Sequence, residues 1–275
     1  MIFHRRYFLL WYPVLFWSFF QAGCAARLPA SIPLAEEQRG EILAHYQSFQ
    51  KRDCSIPLDA DISLDARSFG KNWKSTGFFL IQPPSRLRMT IVDPVGRPLF
   101  ILIAAENFFT LVNTGKGEAL VGSAAALAGE NEDFAEFRAE DVISLLTGRF
   151  LPPPFLLTDM RRDKESDTFV WLVFAAAAEK SHNILFDPDE KRIVRHIFAD
   201  PGGEILLDIR YGPGEENSGT CSMPDALVIT GSAVGGEVTL RYDLVMPRGV
   251  IPESNFELTL PEHYNIRRME GDSLP

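Results

Sequence analysis

Three cysteines and five histidines in 275 residues leave little material for a metal centre or a thiol-based active site. The histidines (His4, His45, His182, His196 and His263) are scattered, and none has the i, i+4 spacing or acidic neighbour of a zinc helix. His196, inside "RIVRHIF", reads as a satisfied mid-strand polar side chain. No serine lies in a nucleophile elbow, and "GPGEENSG" (212–219) lacks the strand-to-helix setting of a phosphate loop. "DPDEK" is too short for a calcium loop and fits a turn. Positive charge is also scarce: 27 Lys and Arg face 37 Asp and Glu, a net charge of −10. Without clustered Lys and Arg, nucleic acid is a poor partner. No enzyme and no metal, nucleotide or redox cofactor is implied.

Long apolar runs are missing too. The longest such stretch follows His4, Arg5 and Arg6, extends from Tyr7 to Phe20 and is interrupted by Pro13. Crossing a bilayer takes roughly 20 apolar residues. A basic start, a short apolar segment and small residues at its end make a secretory signal. No basic stop-transfer cluster follows, which weighs against a membrane-spanning anchor. A plain cleavage site does not need the cysteine in Ala22-Gly23-Cys24. That stretch resembles a bacterial lipobox, with Gln21 standing where an aliphatic residue is usual. The resemblance implies lipidation at Cys24 with two or three acyl chains, enough for stable anchoring. Ala25 resembles the sorting signal for the outer membrane. Removing residues 1–23 takes away Arg5 and Arg6 and no acid, leaving a net charge of −12. Cys54 and Cys221 remain, either as a disulfide or as two buried thiols.

The organisation expected is a signal peptide (1–23), a lipidated cysteine with a small, proline-containing tether (24–35), and one domain (36–275). "LAEEQRGEILAHYQSFQ" reads as an amphipathic helix, with Leu34, Ile42, Leu43, Tyr46 and Phe49 on one face. Beyond it apolar residues recur at every second position. They include Ala60, Ile62, Leu64 and Ala66; Leu87, Met89 and Ile91; Ile205, Leu207, Ile209 and Tyr211; and Val238, Leu240, Tyr242, Leu244 and Met246. "NFELTLP", with Phe256, Leu258 and Leu260, closes the series. Such alternation makes antiparallel strands with one apolar face. "NTGKGE", "FDPDEK" and "ADPGGE" join neighbours as hairpins, so the topology is a meander. "FVWLVFAAAA" is apolar on both faces and belongs under a helix or another layer. One helical insertion, "AEDVISLLTGRFLPPPF", carries an acidic first turn, a Val142, Ile143, Leu145 and Leu146 face, and Gly148 as a C-terminal stop. A smaller helix is expected around 124–129.

A long meander with one apolar face must close on itself, pack on a second sheet, or be capped by helices. Few helices and many strands favour an incomplete β-barrel with a helical lid, an α+β fold dominated by β. A filled β-sandwich is the alternative.

Three stretches point to a family. "RLRMTIVDPVGRPLFIL" (86–102) resembles a strand–loop–strand of the outer-membrane lipoprotein receptor LolB, and "AEDVISLLTGRFLPPPFLL" (139–157) is similar to its lid helix and following proline segment. "YDLVMPRGVIPESNFELTLPEHYNI" looks like the C-terminal strands of LolA/LolB-like proteins. The resemblance implies an outer-membrane, periplasm-facing lipoprotein that binds acyl chains such as palmitate in an apolar cavity. Its cargo would be acylated lipoprotein or lipid, and a LolA-like periplasmic carrier would be a partner. Leu87, Met89, Ile91, Leu240 and Tyr242 would line the cavity; Val142, Ile143, Leu145, Leu146 and Phe150 would belong to the lid. Pro94, Val95 and Gly96 would touch the membrane, with Val95 where the family has leucine. The alternative use of the fold is a protein-binding assembly module, contacting its partner through a sheet edge or Pro152–Pro154.

Overall fold

The computed structural model describes residues 28–52, 56–106, 108–123, 138–150, 152, 156–214 and 223–269. Cys24, Cys54, Cys221, the 124–129 helix expectation and Pro153–Pro154 lie outside the described residues.

The alternating segments form one sheet. After β1 (Ser31–Pro33) and helix α1 (Glu36–Gln50), a first meander comprises β2 (Leu58–Ser68), β3 (Lys71–Gln82), β4 (Arg86–Val92), β5 (Pro98–Ala105), β6 (Phe108–Asn113) and β7 (Glu118–Ser123). Helix α2 (Ala139–Leu146) separates it from a second meander. That one contains β8 (Leu157–Asp163), β9 (Val170–Ala175), β10 (Ser181–Asp187), β11 (Arg192–Ala199), β12 (Ile205–Tyr211), β13 (Ala226–Gly231) and β14 (Gly236–Pro247). A last strand, β15 (Asn265–Arg268), follows a 3-10 turn at Glu253–Phe256.

Among the described residues all fifteen strands belong to a single sheet, ordered β1-β8-β9-β10-β11-β12-β13-β14-β2-β3-β4-β5-β6-β7-β15. The order starts at β1 and ends at β15, so the sheet is an incomplete barrel rather than a closed one or a two-sheet sandwich. The seam between the meanders is β14 against β2, from Gly236↔Ser68 to Pro247↔Leu58. Every pairing is antiparallel except β7 with β15.

The register puts the alternate apolar residues on one inner face. Ala60, Ile62, Phe79, Ile81, Leu87, Ile91, Leu172, Phe174, Ile184, Phe186, Leu227, Leu240 and Tyr242 are buried there with Leu34, Tyr46 and Phe49 of the α1 segment. Ile143, Leu145 and Phe150 from α2 and its extension join the same cluster. Tyr46 anchors α1, its ring 5.6 Å from Phe174 and edge-on at 5.8 Å to Phe186. The both-sides-apolar β9 lies under this helix as its pattern implied, with Trp171 in a separate cluster on the outer face. There Trp171 Nε1 donates to Asp163 at 2.7 Å, satisfying the indole in its buried setting.

Two expectations need correction. Residues 256–260 are not a strand: the chain turns at Glu253–Phe256 and continues without a ladder partner, and the strand lies at Asn265–Arg268. Phe256, Leu258 and Leu260 nonetheless point at Ile101, Ile103 and Val112 on the outer face. Their alternation reflects contact with an apolar surface, not strand pairing. Likewise the tether ends earlier than residue 35, because Ser31–Pro33 pairs with β8 and Leu34 enters the core.

Candidate functional site

The cavity candidates fall together. Leu87, Ile91, Leu240 and Tyr242 are buried on the inner face, and Met89 is half-buried against the same cluster. β14, β2, β3 and β4 are consecutive in the sheet, so these residues form a continuous floor. Above it lies α2. Asp141 starts the helix by accepting from the Arg138 backbone N–H at 2.8 Å, and burial raises its carboxyl above the usual range. Gly148, at φ +69°, ends the helix in the left-handed region that glycine occupies without Cβ strain. Ile143, Leu145 and Phe150 are buried and Leu146 is partly so, whereas Val142 faces outward.

The lid is tied down by polar contacts and one aromatic slot. Tyr242 Oη donates to the Leu146 carbonyl at 2.8 Å. The Arg149 guanidinium donates to the carbonyls of Phe49 (3.3 Å) and Arg52 (3.1 Å) and lies 4.9 Å from the Phe49 ring centroid. Tyr46 Oη (3.2 Å) and Gln50 Nε2 (3.3 Å) donate to the Pro152 carbonyl. Pro152 is thus buried, not displayed to a partner. Phe150 stacks 4.9 Å from His196 and lies tilted against His182, their centroids 4.8 Å apart.

Two of the scattered histidines thus meet beneath Phe150. His182 Nδ1 is 3.0 Å from His196 Nε2. Their strands are joined by a hairpin in which His182 opposes Phe198 and Ile184 opposes His196, so the imidazoles are diagonal neighbours on the inner face. Burial pushes the His182 pKa down to about 4; burial, then the neighbouring His182, pushes that of His196 well below its usual value. Both are therefore neutral at pH 7. The bulge that puts His182 beside His196 is not visible in composition or periodicity.

Part of the inner face is open. Phe100 (40% exposed) and Leu111 (38%) flank Leu102 on β5 and β6, and Trp73 (42%) opposes Ala66 on the same side. These strands continue from β4, on which α2 packs. An apolar strip therefore continues beside the part of the inner face that α2 covers.

The β4–β5 turn stands clear of the core. Asp93 Oδ1 accepts from the backbone N–H of Val95 (3.0 Å) and Arg97 (2.9 Å), and Oδ2 accepts from Arg97 Nε (2.8 Å). These bonds hold the Asp93 carboxyl below the usual range. Gly96 takes φ +85° to close the turn. The result is a stiff loop that presents Val95, 75% exposed, with Pro94 and Gly96 also exposed. Val95 does not pack on its own strand. Beneath the loop, on the outer side of the sheet, is a cleft of about 510 Å³ lined by Asp65, Lys74, Asp93, Thr239 and Arg241 among others. Lys74 and Asp65, directly opposed on β3 and β2, pair on its floor at 2.7 Å, and Leu64, Val92, Pro94 and Leu99 complete the lining.

No protein-family model matches the sequence, and no curated protein does. Solved structures do. A LolA superfamily protein from Nitrosomonas europaea superposes with a TM-score of 0.52 at 12% identity, over 80% of this chain and 97% of that one. The fold is LolA/LolB-like. A domain from Vibrio parahaemolyticus named for outer membrane lipoprotein sorting gives 0.52 at 11% identity, over 78% and 95%. A DUF1329 family protein from Desulfovibrio piger gives 0.54 at 9%, over 79% and 97%. The LolA/LolB-like fold accounts for the open sheet and the helices across its inner face. At these identities the likeness is one of architecture.

Proposed function

We propose that this protein is a non-catalytic cell-envelope lipoprotein, anchored to the outer membrane through Cys24, that binds acyl chains of lipoprotein or lipid cargo beneath α2. The observation that carries the reading is the inner apolar face covered by a tethered helix and left open along Trp73, Phe100 and Leu111. A chain entering there replaces helix-to-sheet contacts with its own, so α2 must move. Burying an 18-carbon chain completely would contribute on the order of 10 kcal/mol, at roughly 0.8 kcal/mol per CH₂. Displacing Ile143, Leu145 and Phe150 offsets part of that, which makes release possible. The Val95 loop supplies membrane contact during transfer, and a LolA-like soluble carrier is the natural donor. Support comes from the LolA superfamily fold and from the lipoprotein-sorting name of the Vibrio neighbour.

The test is native mass spectrometry of the chain from Ala25 onward, exported to the periplasm and purified without detergent, followed by organic extraction. Co-purified acylated polypeptide supports lipoprotein handling, and bound free lipid narrows the cargo to lipids. A clean apo mass with no uptake of added palmitoylated peptide overturns the reading.

A further inference from the structure

The lid segment covers polar atoms for which an alkyl chain has no use. His196 is 2% exposed, and its Nδ1 has no hydrogen-bond partner among the described residues. Tyr211 Oη is buried without a partner in the same way. Both belong to the inner face: Ile209, two residues before Tyr211, is the cross-strand partner of His196. Gly148, the stop of α2, lies against the Tyr211 ring, and Phe150 lies on both imidazoles. Buried polar atoms are normally paired, and leaving one unpaired is costly. Two such atoms under one movable cover mark a place where a ligand can complete the pairing.

Neutral imidazoles fix what that ligand is. One proton is shared along the His182–His196 contact, so His196 Nδ1 is either a bare acceptor or an N–H donor, according to tautomer. Tyr211 Oη can donate. Burial raises its pKa above the usual phenol range, so it keeps its proton. No third metal-ligating side chain joins the histidines among the described residues. With two ligating groups, no counter-charge and walls of Phe150, Phe174 and Phe198, the place offers little to a metal ion or a charged headgroup. The carbonyl at the start of an acyl chain suits it, being polar, uncharged and attached to a long apolar tail.

We propose that His196 and Tyr211, with His182 orienting His196, form a polar subsite for the amide or ester carbonyl of an acyl chain, with Phe150 as its removable cover. This rests on the acyl-binding reading above and adds a direction to it: the head of the chain sits at β10–β12 and the tail runs along the inner face toward β4–β6. An apolar cavity alone would hold an alkyl chain in either sense.

The test uses the full chain in lipid nanodiscs with two photoreactive 16-carbon N-acyl amides. One carries its diazirine beside the carbonyl, the other at the tail end. Cross-linked peptides are mapped by mass spectrometry. The expected result is head-proximal labelling of the peptides containing His182, Phe150 or Tyr211, and tail labelling of the β4–β6 peptides. His196→Phe and Tyr211→Phe, which keep aromatic volume, should each cut the head-proximal labelling about fivefold, the usual worth of one hydrogen bond, without lowering total labelling. An ether analogue without the carbonyl should show no preference for β10–β12. Should His196→Phe misfold by circular dichroism, the ether comparison in the unmodified chain decides alone. Inner-face labelling whose position ignores the carbonyl and both variants overturns the subsite and leaves acyl binding intact. Absence of inner-face labelling by either probe overturns the acyl-binding reading and the subsite with it.

Discussion

Tyr242→Phe isolates the hold of the sheet on the lid. The variant removes one oxygen, keeps the ring against Phe79 (centroids 6.1 Å apart), and leaves the Leu146 carbonyl without its 2.8 Å donor. Losing such a bond costs about 1 kcal/mol, and about 2 kcal/mol if the carbonyl stays dry. At RT ≈ 0.59 kcal/mol this raises the equilibrium for α2 opening by roughly 5- to 30-fold. Hydrogen exchange reads it directly. The amides of Thr147, Gly148 and Arg149, bonded to the carbonyls of Ile143, Leu145 and Ser144, should exchange faster by that factor. Amides of β10 and β11 should keep their rates, since their ladder does not involve Tyr242. Burial holds the Tyr242 hydroxyl protonated well past its ordinary range, so the difference should not vary between about pH 6 and pH 9. Unchanged exchange at residues 147–149 would refute the idea that this bond restrains the lid. Uniform acceleration across the sheet would show that the hydroxyl supports the whole fold instead.

Three more outcomes are expected. His182 titrates at about 4 when folded, against an unfolded value near 6.5, so the unfolded state binds more protons between those pH values. His182 alone should therefore take about 3 kcal/mol from the stability as pH drops from 6.5 to 4, in urea titrations; His196, also depressed, adds to the fall, so His182→Phe should make the slope shallower without abolishing it. Leu172→Ala, at a fully buried inner-face position, should cost about 3–5 kcal/mol in the same assay, whereas Val142→Ala on the outward side of α2 should cost under about 0.5 kcal/mol. Val95→Glu should leave the melting temperature unchanged and weaken co-sedimentation of the unanchored chain with phospholipid vesicles at least about tenfold, the worth of one exposed valine entering an apolar phase; undiminished co-sedimentation would remove this loop from the membrane contact.

Much of the sheet was legible because its inner face is buried and its outer face largely wet, which writes a period of two into β2, β4, β12 and β14. The same signal misled at Phe256, Leu258 and Leu260. Periodicity records which side of a segment meets an apolar surface, and says nothing of whether its backbone is paired. β15 escaped notice for the converse reason: all four of its residues are exposed, and its parallel ladder with β7 leaves no side-chain pattern. Helix α2 was legible from its acidic first turn and Gly148. The slot beneath it was not, because His182 meets His196 only through a hairpin register with a bulge between Leu185 and Phe186.

The β14–β2 seam sets a timetable for the chain. Residues 58–68 wait for residues 236–247, and no shorter-range partner can substitute along that edge. A chain emerging from its N-terminus can thus complete β2–β7, but leaves the outer edge of β2 unpaired until nearly all of it has emerged. Closing so long a loop is slow, because its entropy is spent before any of the pairing is gained. During that interval β2 presents an unpaired edge and Ile62 and Leu64 an uncovered face. Folding of this open sheet is itself a period of apolar exposure, in which holdase chaperones would have an opportunity to bind.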